Sequence, residues 1–357
     1  MIYLLITMML FMLRYMLMRK SRARDQIYSV ILFGLFLFSA FRYEVGCDWS
    51  GYYYQYYRAF EKSLTTIVSE REPIWWLILS RLSLHEIPYP WINVVSSAVF
   101  FVAIHVLARR QPDRLGFLVL LFPILIINMP MSGIRQGAAI GIMSAAFVAF
   151  TDKKLLKFVL LTALASGFHA SAMAFLLLAP LVRGNYTKTR LGLAALLAIP
   201  GGFILLGSES AELAVDRYID TEIDAAGAAF RVGILLLSGI FFFAVLRRPW
   251  RKAFPSDYRI ASIGSLMMIA MAALVPISSV IGDRLGYYLI PIQSLIFARI
   301  PYLPLMRHRA LYIAAPYLGL FLVFTVWSLA SSHFNQCYVP YNSWILGFPD
   351  GQIYRER

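Results

Sequence analysis

Apolar blocks recur along this chain between short charged turns, and each is about as long as the 17–25 residues that cross a bilayer as a helix. Lipid admits only α-helices or closed β-barrels, because every backbone polar group must be hydrogen-bonded within the protein. The sequence lacks the alternating pattern of barrel strands. With 60% hydrophobic residues, 15% charged residues and a mean hydropathy of +0.67, the chain is too apolar for a soluble core. The sequence therefore predicts an all-α polytopic integral membrane protein.

Most of the chain's 33 Lys and Arg residues lie in six short connections: RKSRARD, RRQPDR, DKKLLK, RGNYTKTR, RRPWRKAFPSDYR and RIPYLPLMRHR. The positive-inside rule places such loops in the cytoplasm. About 12 crossings follow, with both termini outside and with outer loops at about 44–72, 207–230 and 330–357. The acid-rich segment SESAELAVDRYIDTEIDAAG then also falls outside. The net charge of +14 is thus a topological signal, and we expect no nucleic acid partner.

Two segments do not fit a simple count of crossings. KFVLLTALASGFHASAMAFLLLAPLV is basic at both ends, so we expect two half-helices that meet near Gly167–His169. EPIWWLILSRLSLHEIPYPWINVV predicts a short re-entrant or tilted helix, followed by a full span that ends at Arg109. Broken helices at membrane depth are tolerated where they line a polar cavity. Without internal repeats or low-complexity linkers, residues 1–357 are expected to form one membrane-embedded domain.

Ionisable residues from distant parts of the sequence share the predicted outer side. Arg135 lies between apolar stretches, where an uncompensated charge costs about 2.5–3.5 kcal/mol or more. Gly133, Gly137 and Gly141 surround it with a GxxxGxxxG pattern that lets another helix approach closely. We therefore expect Arg135 to face protein rather than snorkel to lipid headgroups. The other members of this group are Arg42, Asp48, Glu72, His169, Asp283 and Arg284.

Three of these residues are arginines, and the positive-inside rule disfavours arginine on the outer side. Arg42, Arg135 and Arg284 therefore need a partner. An anionic ligand fits, and above all a diphosphate, because its oxygens match the guanidinium fork. Internal pairing with the neighbouring carboxylates is the alternative, and the two arrangements can belong to bound and resting states.

The stretch FRYEVGCDWSGYYYQYY surrounds Asp48 with aromatic residues. Such a mixture suits carbohydrate, because sugar rings stack on residues such as Trp49 and Tyr53 while carboxylates bind hydroxyls. An interfacial aromatic belt explains the same residues equally well. His169 has two interpretations as well: a general base, or a core histidine bonded to a carbonyl.

Signatures of soluble nucleotide enzymes are absent. The sequence contains no GxxxxGK[ST], GxGxxG or GxSxG motif, so coupling to ATP within this chain is not expected. The five histidines show no metal-ligand spacing, and we predict no metal site. Cys47 and Cys337 both fall on the predicted outer side, where an oxidising compartment would allow a disulfide, but free cysteines are the favoured interpretation.

Several of these stretches resemble motifs of the EpsG-like, Wzy-type bacterial polysaccharide polymerases. FRYEVGCDWSGYYYQYY resembles that family's RxxxGxDxxxY opening, and REPIWWLI resembles its E-P segment. SGIRQGAAIGI is similar to its RQxxA helix and ASGFHASAM to its FHxSA element, while DRLGYYLIP and CYVPYNSWI extend the likeness. Together the motifs thread residues 40 to about 345. Cys47 and the CDW sequence depart from the pattern, but no charged residue is lost.

The resemblance implies a GT-C-like architecture and a glycosyltransferase that polymerises O-antigen, exopolysaccharide or capsule repeat units. Both donor and acceptor would be oligosaccharides on undecaprenyl diphosphate, at the outer face of the bacterial inner membrane. A chain-length regulator and a flippase would be possible partners. A flippase or transporter and an O-antigen ligase-type glycosyltransferase are the alternative functions.

The residues and the implied reaction together suggest roles for the individual side chains. The diphosphate leaving group carries its own activation, so no cofactor and no metal are expected. Asp48 and His169 are alternative general bases, with Glu72 as an orienting or backup carboxylate. Arg135, Arg42 and Arg284 are the candidate diphosphate ligands. The candidate sugar-binding residues are Trp49, Tyr53, Tyr338 and Tyr341.

Overall fold

The computed structural model describes residues 1–18, 21–60, 62–184, 187–190, 192–193, 196, 227–276, 278–305 and 307–348. Among these residues, five helices are long and apolar enough to cross a membrane: Arg22–Ala40, Trp91–Ala108, Ile134–Thr151, Ala228–Ala253 and Arg309–Ala330. Shorter apolar helices accompany them. The structure therefore supports the predicted all-α membrane class, whereas the count of about 12 crossings and the GT-C-like architecture stay predictions. Most of the acid-rich outer segment and the residues after 348 lie outside the described residues.

Short breaks and turns separate most of the helices within the described ranges. The described elements are, in chain order, α1 (Ile2–Leu17), α2 (Ser21–Ala40), β1 (Arg42–Tyr43), α3 (Trp49–Ala59), α4 (Leu64–Ser69), α5 (Pro73–Leu84), α6 (Trp91–Ala108), α7 (Arg114–Leu121) with a π-helical turn (Phe122–Ile126), α8 (Ile134–Thr151), α9 (Leu155–Phe168), a 3₁₀ helix (Ala170–Leu178), α10 (Ala179–Val182), α11 (Ala228–Phe241) with a π-helical turn (Phe242–Leu246), α12 (Arg247–Ala253), α13 (Tyr258–Leu274), α14 (Ser279–Tyr287), α15 (Ile290–Arg299) with a 3₁₀ turn (Ile300–Tyr302), α16 (Arg309–Ala330), α17 (Ser332–Tyr338) and β2 (Asn342–Ser343).

Both predicted helix breaks are present. Helix α9 ends at Phe168 and the 3₁₀ helix begins at Ala170, so the long apolar segment is divided at the expected place. Helix α5 is short and begins with Pro73. Proline is favoured at the first position of a helix because its missing N–H would have no intrahelical partner there. The next helix, α6, ends at Ala108 with Arg109 as its C-cap, which confirms the predicted end of that span.

The chain packs as two compact units. The first unit comprises Met1–Gly141, Gly167–His169 and Leu311–Arg357, and the second comprises Ile142–Ser166 and Ala170–Ala310. The first unit is therefore assembled from three separate stretches of sequence. Our expectation of a single domain stays a prediction.

Close helix packing in the first unit depends on small residues of the GxxxGxxxG pattern. A Cβ at Gly141 would lie 2.8 Å from the Cα of Phe100 on α6. At Gly137 it would lie 3.0 Å from the backbone of Met129, whereas at Gly133 the nearest atoms would be at an ordinary contact distance of 3.5 Å. The close approach of another helix that the pattern predicts therefore occurs at Gly141, whereas Gly137 packs against the turn that precedes α8.

The C-terminal part of the first unit is bound to its N-terminal part by a two-stranded antiparallel ribbon and by a disulfide. Strand β1 pairs with β2, and the Trp344 N–H donates to the Phe41 carbonyl at 2.9 Å. Cys47 forms a disulfide with Cys337. The interpretation of these cysteines as free is therefore wrong, since the ribbon brings the two distant segments side by side.

The second unit contains its own close helix contact and ion pairs. A Cβ at Gly239 on α11 would lie 2.5 Å from the carbonyl oxygen of Ser265 on α13. Arg231 donates from Nε and Nη2 to the two carboxylate oxygens of Asp283, each at 2.7 Å. This bidentate pair compensates two charges within an apolar environment.

Candidate anion-binding site

An arginine–carboxylate pair stands at the start of α8. Arg135 is the second residue of that helix, and its Nη1 lies 2.5 Å from Oε2 of Glu72. Glu72 occupies the N-cap position of α5 but makes no capping hydrogen bond there, so its carboxylate is directed to the arginine instead. The Arg135 side chain is 28% exposed against 11% for Glu72, so the arginine is the more accessible partner.

Tyr52 completes the surroundings of the arginine. Arg135 donates a hydrogen bond to the Tyr52 hydroxyl, and its guanidinium carbon lies 5.6 Å from the centre of the tyrosine ring. Burial raises the pKa of Tyr52 to about 12, against the lowering effect of the nearby arginine. Tyr52 is therefore a neutral phenol at physiological pH. In the part of the chain that the structure describes, Nε of Arg135 is buried and has no hydrogen-bond partner.

The turn that carries Asp48 packs against the segment leading into α8. Gly46 adopts φ +103°, and a Cβ there would lie 2.0 Å from the carbonyl oxygen of Met131. Only glycine is compatible with both that conformation and that close approach. Asp48 itself is exposed at the N-cap of α3, and its charge adds to the rise in the pKa of Tyr52. The structure thus brings Asp48, Tyr52, Glu72 and Arg135 together, and we refer to these four residues as the Arg135 cluster.

His169 lies in the break after α9, which belongs to the same unit as the Arg135 cluster. The neighbouring Gly167 packs on α5, because a Cβ there would lie 2.5 Å from Cδ1 of Ile74. Ile74 is two residues from Glu72, so the break lies against the beginning of the helix that presents this carboxylate. His169 is half-buried at this position.

Arg42 has a different environment from Arg135. Its side chain is buried, and its Nη1 and Nε donate to the carbonyls of Ser39 and Val45 at 2.8 and 3.0 Å. The bond to Ser39 satisfies a carbonyl at the C-terminal end of α2, where a cation also complements the helix dipole, and the bond to Val45 fixes the turn after β1. Burial lowers the pKa of the Arg42 guanidinium to about 10, which leaves it charged at neutral pH. This geometry supports a structural role, and Arg42 does not belong to the Arg135 cluster.

Arg284 lies on α14 in the second unit. The adjacent Asp283 is bound through both carboxylate oxygens by Arg231. Internal pairing, the alternative considered for the outer arginines, therefore occurs here with an arginine that the sequence did not single out.

Three of the four predicted sugar-binding residues are engaged in packing. Trp49 and Tyr338 are buried, with rings 5.0 Å from Tyr89 and 5.1 Å from Phe334 respectively. Tyr341 stacks on Phe38 and donates its hydroxyl proton to the Phe38 carbonyl. Tyr53 is half-buried, and its ring lies 4.7 Å from that of the exposed Tyr57. A sugar contact at Tyr53 stays a prediction.

Sequence reasoning missed two residues. Tyr52 follows Asp48 by four positions, a spacing that places both on one side of a helix, so a signal for it was present. His333 precedes Cys337 by the same four positions on α17, but it becomes noticeable only when Cys47 is known to be adjacent. Its Nε2 lies 3.1 Å from Sγ of Cys47.

The described helices and the Arg135 cluster define a helical membrane protein with a candidate site for an anionic ligand. The model of the EpsG family matches residues 25–343, a range that contains the whole cluster and His169, so this chain belongs to the EpsG family. The resemblance inferred from the sequence is confirmed. Membership indicates a glycosyltransferase-like polymerase in polysaccharide biosynthesis, with lipid-linked substrates. No curated protein and no solved structure matches the chain.

Proposed function

We propose that this protein is a Wzy-type polymerase of O-antigen, exopolysaccharide or capsule. It transfers a growing glycan from undecaprenyl diphosphate to a hydroxyl of an incoming lipid-linked repeat unit. The reaction takes place at the outer face of the bacterial inner membrane. The observation that carries this proposal is the Arg135 cluster: a partly accessible arginine, paired with a carboxylate, at the start of a long helix.

Two sources of positive electrostatic potential coincide at the N-terminus of α8. The N-terminus of α8 carries the positive end of the helix dipole, and Arg135 adds a full charge in its first turn. A cation is unfavourable at a helix N-terminus unless an anion compensates it, and Glu72 does so here. The same arrangement suits phosphate oxygens, which bind both guanidinium groups and helix N-termini.

In the proposed reaction, an acceptor hydroxyl attacks the anomeric carbon of the donor glycan. The bond from that carbon to the diphosphate oxygen breaks, and undecaprenyl diphosphate leaves with the bonding electrons. Arg135 stabilises the negative charge that grows on the leaving group, in surroundings where water screens it poorly. Glu72 and Tyr52 hold the guanidinium in position.

The hydroxyl must lose its proton as it attacks, which requires a general base. We assign this role to Asp48, because its turn packs against the segment that leads to Arg135. His169 is the second candidate. No step in this scheme needs ATP or another cofactor.

The experiment that tests the proposal is the surface glycan profile of a deletion strain complemented with wild-type or Arg135→Ala protein at matched expression. We expect Arg135→Ala to abolish the polymer ladder while single repeat units still reach the outer face. Arg135→Lys should restore little, because lysine offers a point charge without the fork geometry. Arg81→Ala is the matched control, since this exposed arginine lies on α5, the helix that Glu72 precedes.

The other outcomes identify the alternatives. If no unit reaches the outer face, the protein is better described as a flippase. If polymer accumulates on undecaprenyl diphosphate without reaching its final acceptor, it is better described as a ligase. An unchanged ladder in Arg135→Ala would overturn the site.

A further inference from the structure

The two cysteines of the disulfide and a neighbouring histidine form a second group of reactive side chains. Helix α17 carries His333 and Cys337 four residues apart, so both lie on one face of the helix. Cys47 meets them from the turn before α3. The Sγ atoms of the two cysteines and a ring nitrogen of His333 all lie within 4.8 Å of one another. Cys47 and His333 are exposed and Cys337 is half-buried, so solvent reaches the group.

We propose that Cys47, Cys337 and His333 bind Zn²⁺ when the disulfide is reduced. Two thiolates and one imidazole form a donor set that zinc accepts, with water in the fourth position. Reduction by a dithiol transfers two electrons and two protons to the sulfurs and leaves the reductant as a disulfide. Zinc then replaces the two thiol protons, which are released to solvent.

The geometry requires little rearrangement. Zinc–sulfur and zinc–nitrogen bonds of roughly 2.3 and 2.0 Å place tetrahedral ligand atoms roughly 3.4–3.8 Å apart. Nε2 of His333 lies 3.1 Å from Sγ of Cys47, and all three ligand atoms lie within 4.8 Å of one another. Side-chain rotations that separate the two sulfurs and adjust the histidine therefore complete the site. The backbone holds the ligands together independently of the disulfide, because the Gly46 N–H donates to the Cys337 carbonyl and β1 pairs with β2.

This site has a structural consequence. The residue after Cys47 is Asp48, so a link between the turn and α17 also anchors the Arg135 cluster. A disulfide provides that link under oxidising conditions, and zinc provides it under reducing conditions. The metal is therefore a structural element, and the inference does not depend on the proposed transfer reaction.

The test is zinc binding by the purified full-length chain, in the oxidised form and after reduction with a phosphine under anaerobic conditions. Metal content per chain and competition with a chelator give stoichiometry and affinity. We expect one equivalent of Zn²⁺ on the reduced chain and none at this position on the oxidised chain. Co²⁺ in place of zinc should show thiolate-to-metal charge-transfer absorption.

Two histidine variants localise the metal. His333→Gln should weaken zinc binding by at least ~10-fold. Loss of a residue that only contacts a metal ligand already lowers metal affinity by about that factor, and loss of a direct ligand should lower it at least as much. His85→Gln changes an exposed histidine on a different helix terminus and should bind zinc as the wild type does. Neither variant removes a cysteine, so folding is checked in the oxidised form. A reduced chain that takes up no zinc, or equal affinities for both variants and the wild type, would overturn the proposal.

Discussion

At the scale of single residues, Arg135 is held by a charged partner and by a neutral one. Glu72 contributes an ion pair, whereas Tyr52 contributes a hydrogen bond and the face of its ring. Both partners act on the same guanidinium, so their contributions are expected to be coupled rather than additive. Substitutions that preserve shape can separate the charge from the hydrogen bond.

We predict that Glu72→Gln destabilises the protein more than Tyr52→Phe does. The first leaves a poorly compensated arginine in the first turn of α8, which costs about 1–3 kcal/mol, whereas the second removes one hydrogen bond worth about 0.5–1.5 kcal/mol. Thermal unfolding in detergent and the glycan ladder are measured for both variants. Equal stability of Glu72→Gln and wild type would show that the ion pair contributes nothing to folding.

Asp48 offers a test of the general base with little structural disturbance. It is exposed and makes no capping bond, so Asp48→Asn should unfold at the wild-type temperature. If Asp48 is the base, polymerisation slows by about 10²–10⁴-fold. His169→Gln is the comparison, and a larger loss in that variant assigns the base to the histidine. The measurement is polymer formation from purified lipid-linked units at several pH values.

The sequence was sufficient to predict the charged members of the Arg135 cluster. Arg135, Glu72 and Asp48 were recognisable because ionisable side chains between apolar segments need compensation. The contact of Tyr52 with Arg135 and the hydrogen bonds of Arg42 were not, because they depend on which donors and carbonyls the folded chain brings within reach. The packing of Tyr338 and Tyr341 was not predictable either, because aromatic residues at a loop have the same composition whether they pack or face solvent; sugar binding by these two residues stays a prediction.

At the scale of elements, small residues and breaks determine how the helices meet. The breaks before Ala170 and Trp91 were predictable, since the charges flanking these segments are incompatible with one continuous helix. The pairing of β1 with β2 was not, because two-residue strands are too short to show an alternating pattern. That short ribbon nevertheless determines where α17 and its cysteine lie.

Two glycine substitutions with opposite expected effects test helix packing. Gly141→Ala should destabilise the protein by about 1–3 kcal/mol, because its Cβ would lie 2.8 Å from backbone atoms that cannot rotate away. Gly34→Ala on α2 meets no atom within 4 Å and should stabilise its helix by roughly 0.5–1 kcal/mol. Thermal unfolding of both variants in the same detergent decides the point. If Gly141→Ala is as stable as wild type, α6 and α8 do not depend on this contact.

At the scale of the whole molecule, the first unit is closed by contacts between its two ends in sequence. The disulfide spans 290 residues, for which random-coil loop entropy gives about 5–6 kcal/mol of stabilisation. That value is an upper limit here, because helices confined by a bilayer have far fewer conformations to lose than a free chain. Noncovalent contacts also hold the end segment. The Tyr341 hydroxyl donates to the Phe38 carbonyl on α2, and the Trp344 N–H donates to the carbonyl of Phe41, the residue after α2.

We therefore expect the double variant Cys47→Ser/Cys337→Ser to loosen one segment rather than unfold the protein. Its free energy of unfolding should fall by less than the roughly 5–6 kcal/mol that random-coil loop entropy gives. Protease cleavage between residues 331 and 348 should nevertheless become faster. Polymerisation should fall too, because the turn that carries Asp48 loses its covalent anchor. The measurements are non-reducing mass spectrometry, timed proteolysis and glycan profiles, with oxidised wild type in EDTA as the control that excludes zinc. If the variant is cleaved at the wild-type rate, the ribbon alone anchors the segment; if it is fully unfolded, the disulfide supports the whole first unit.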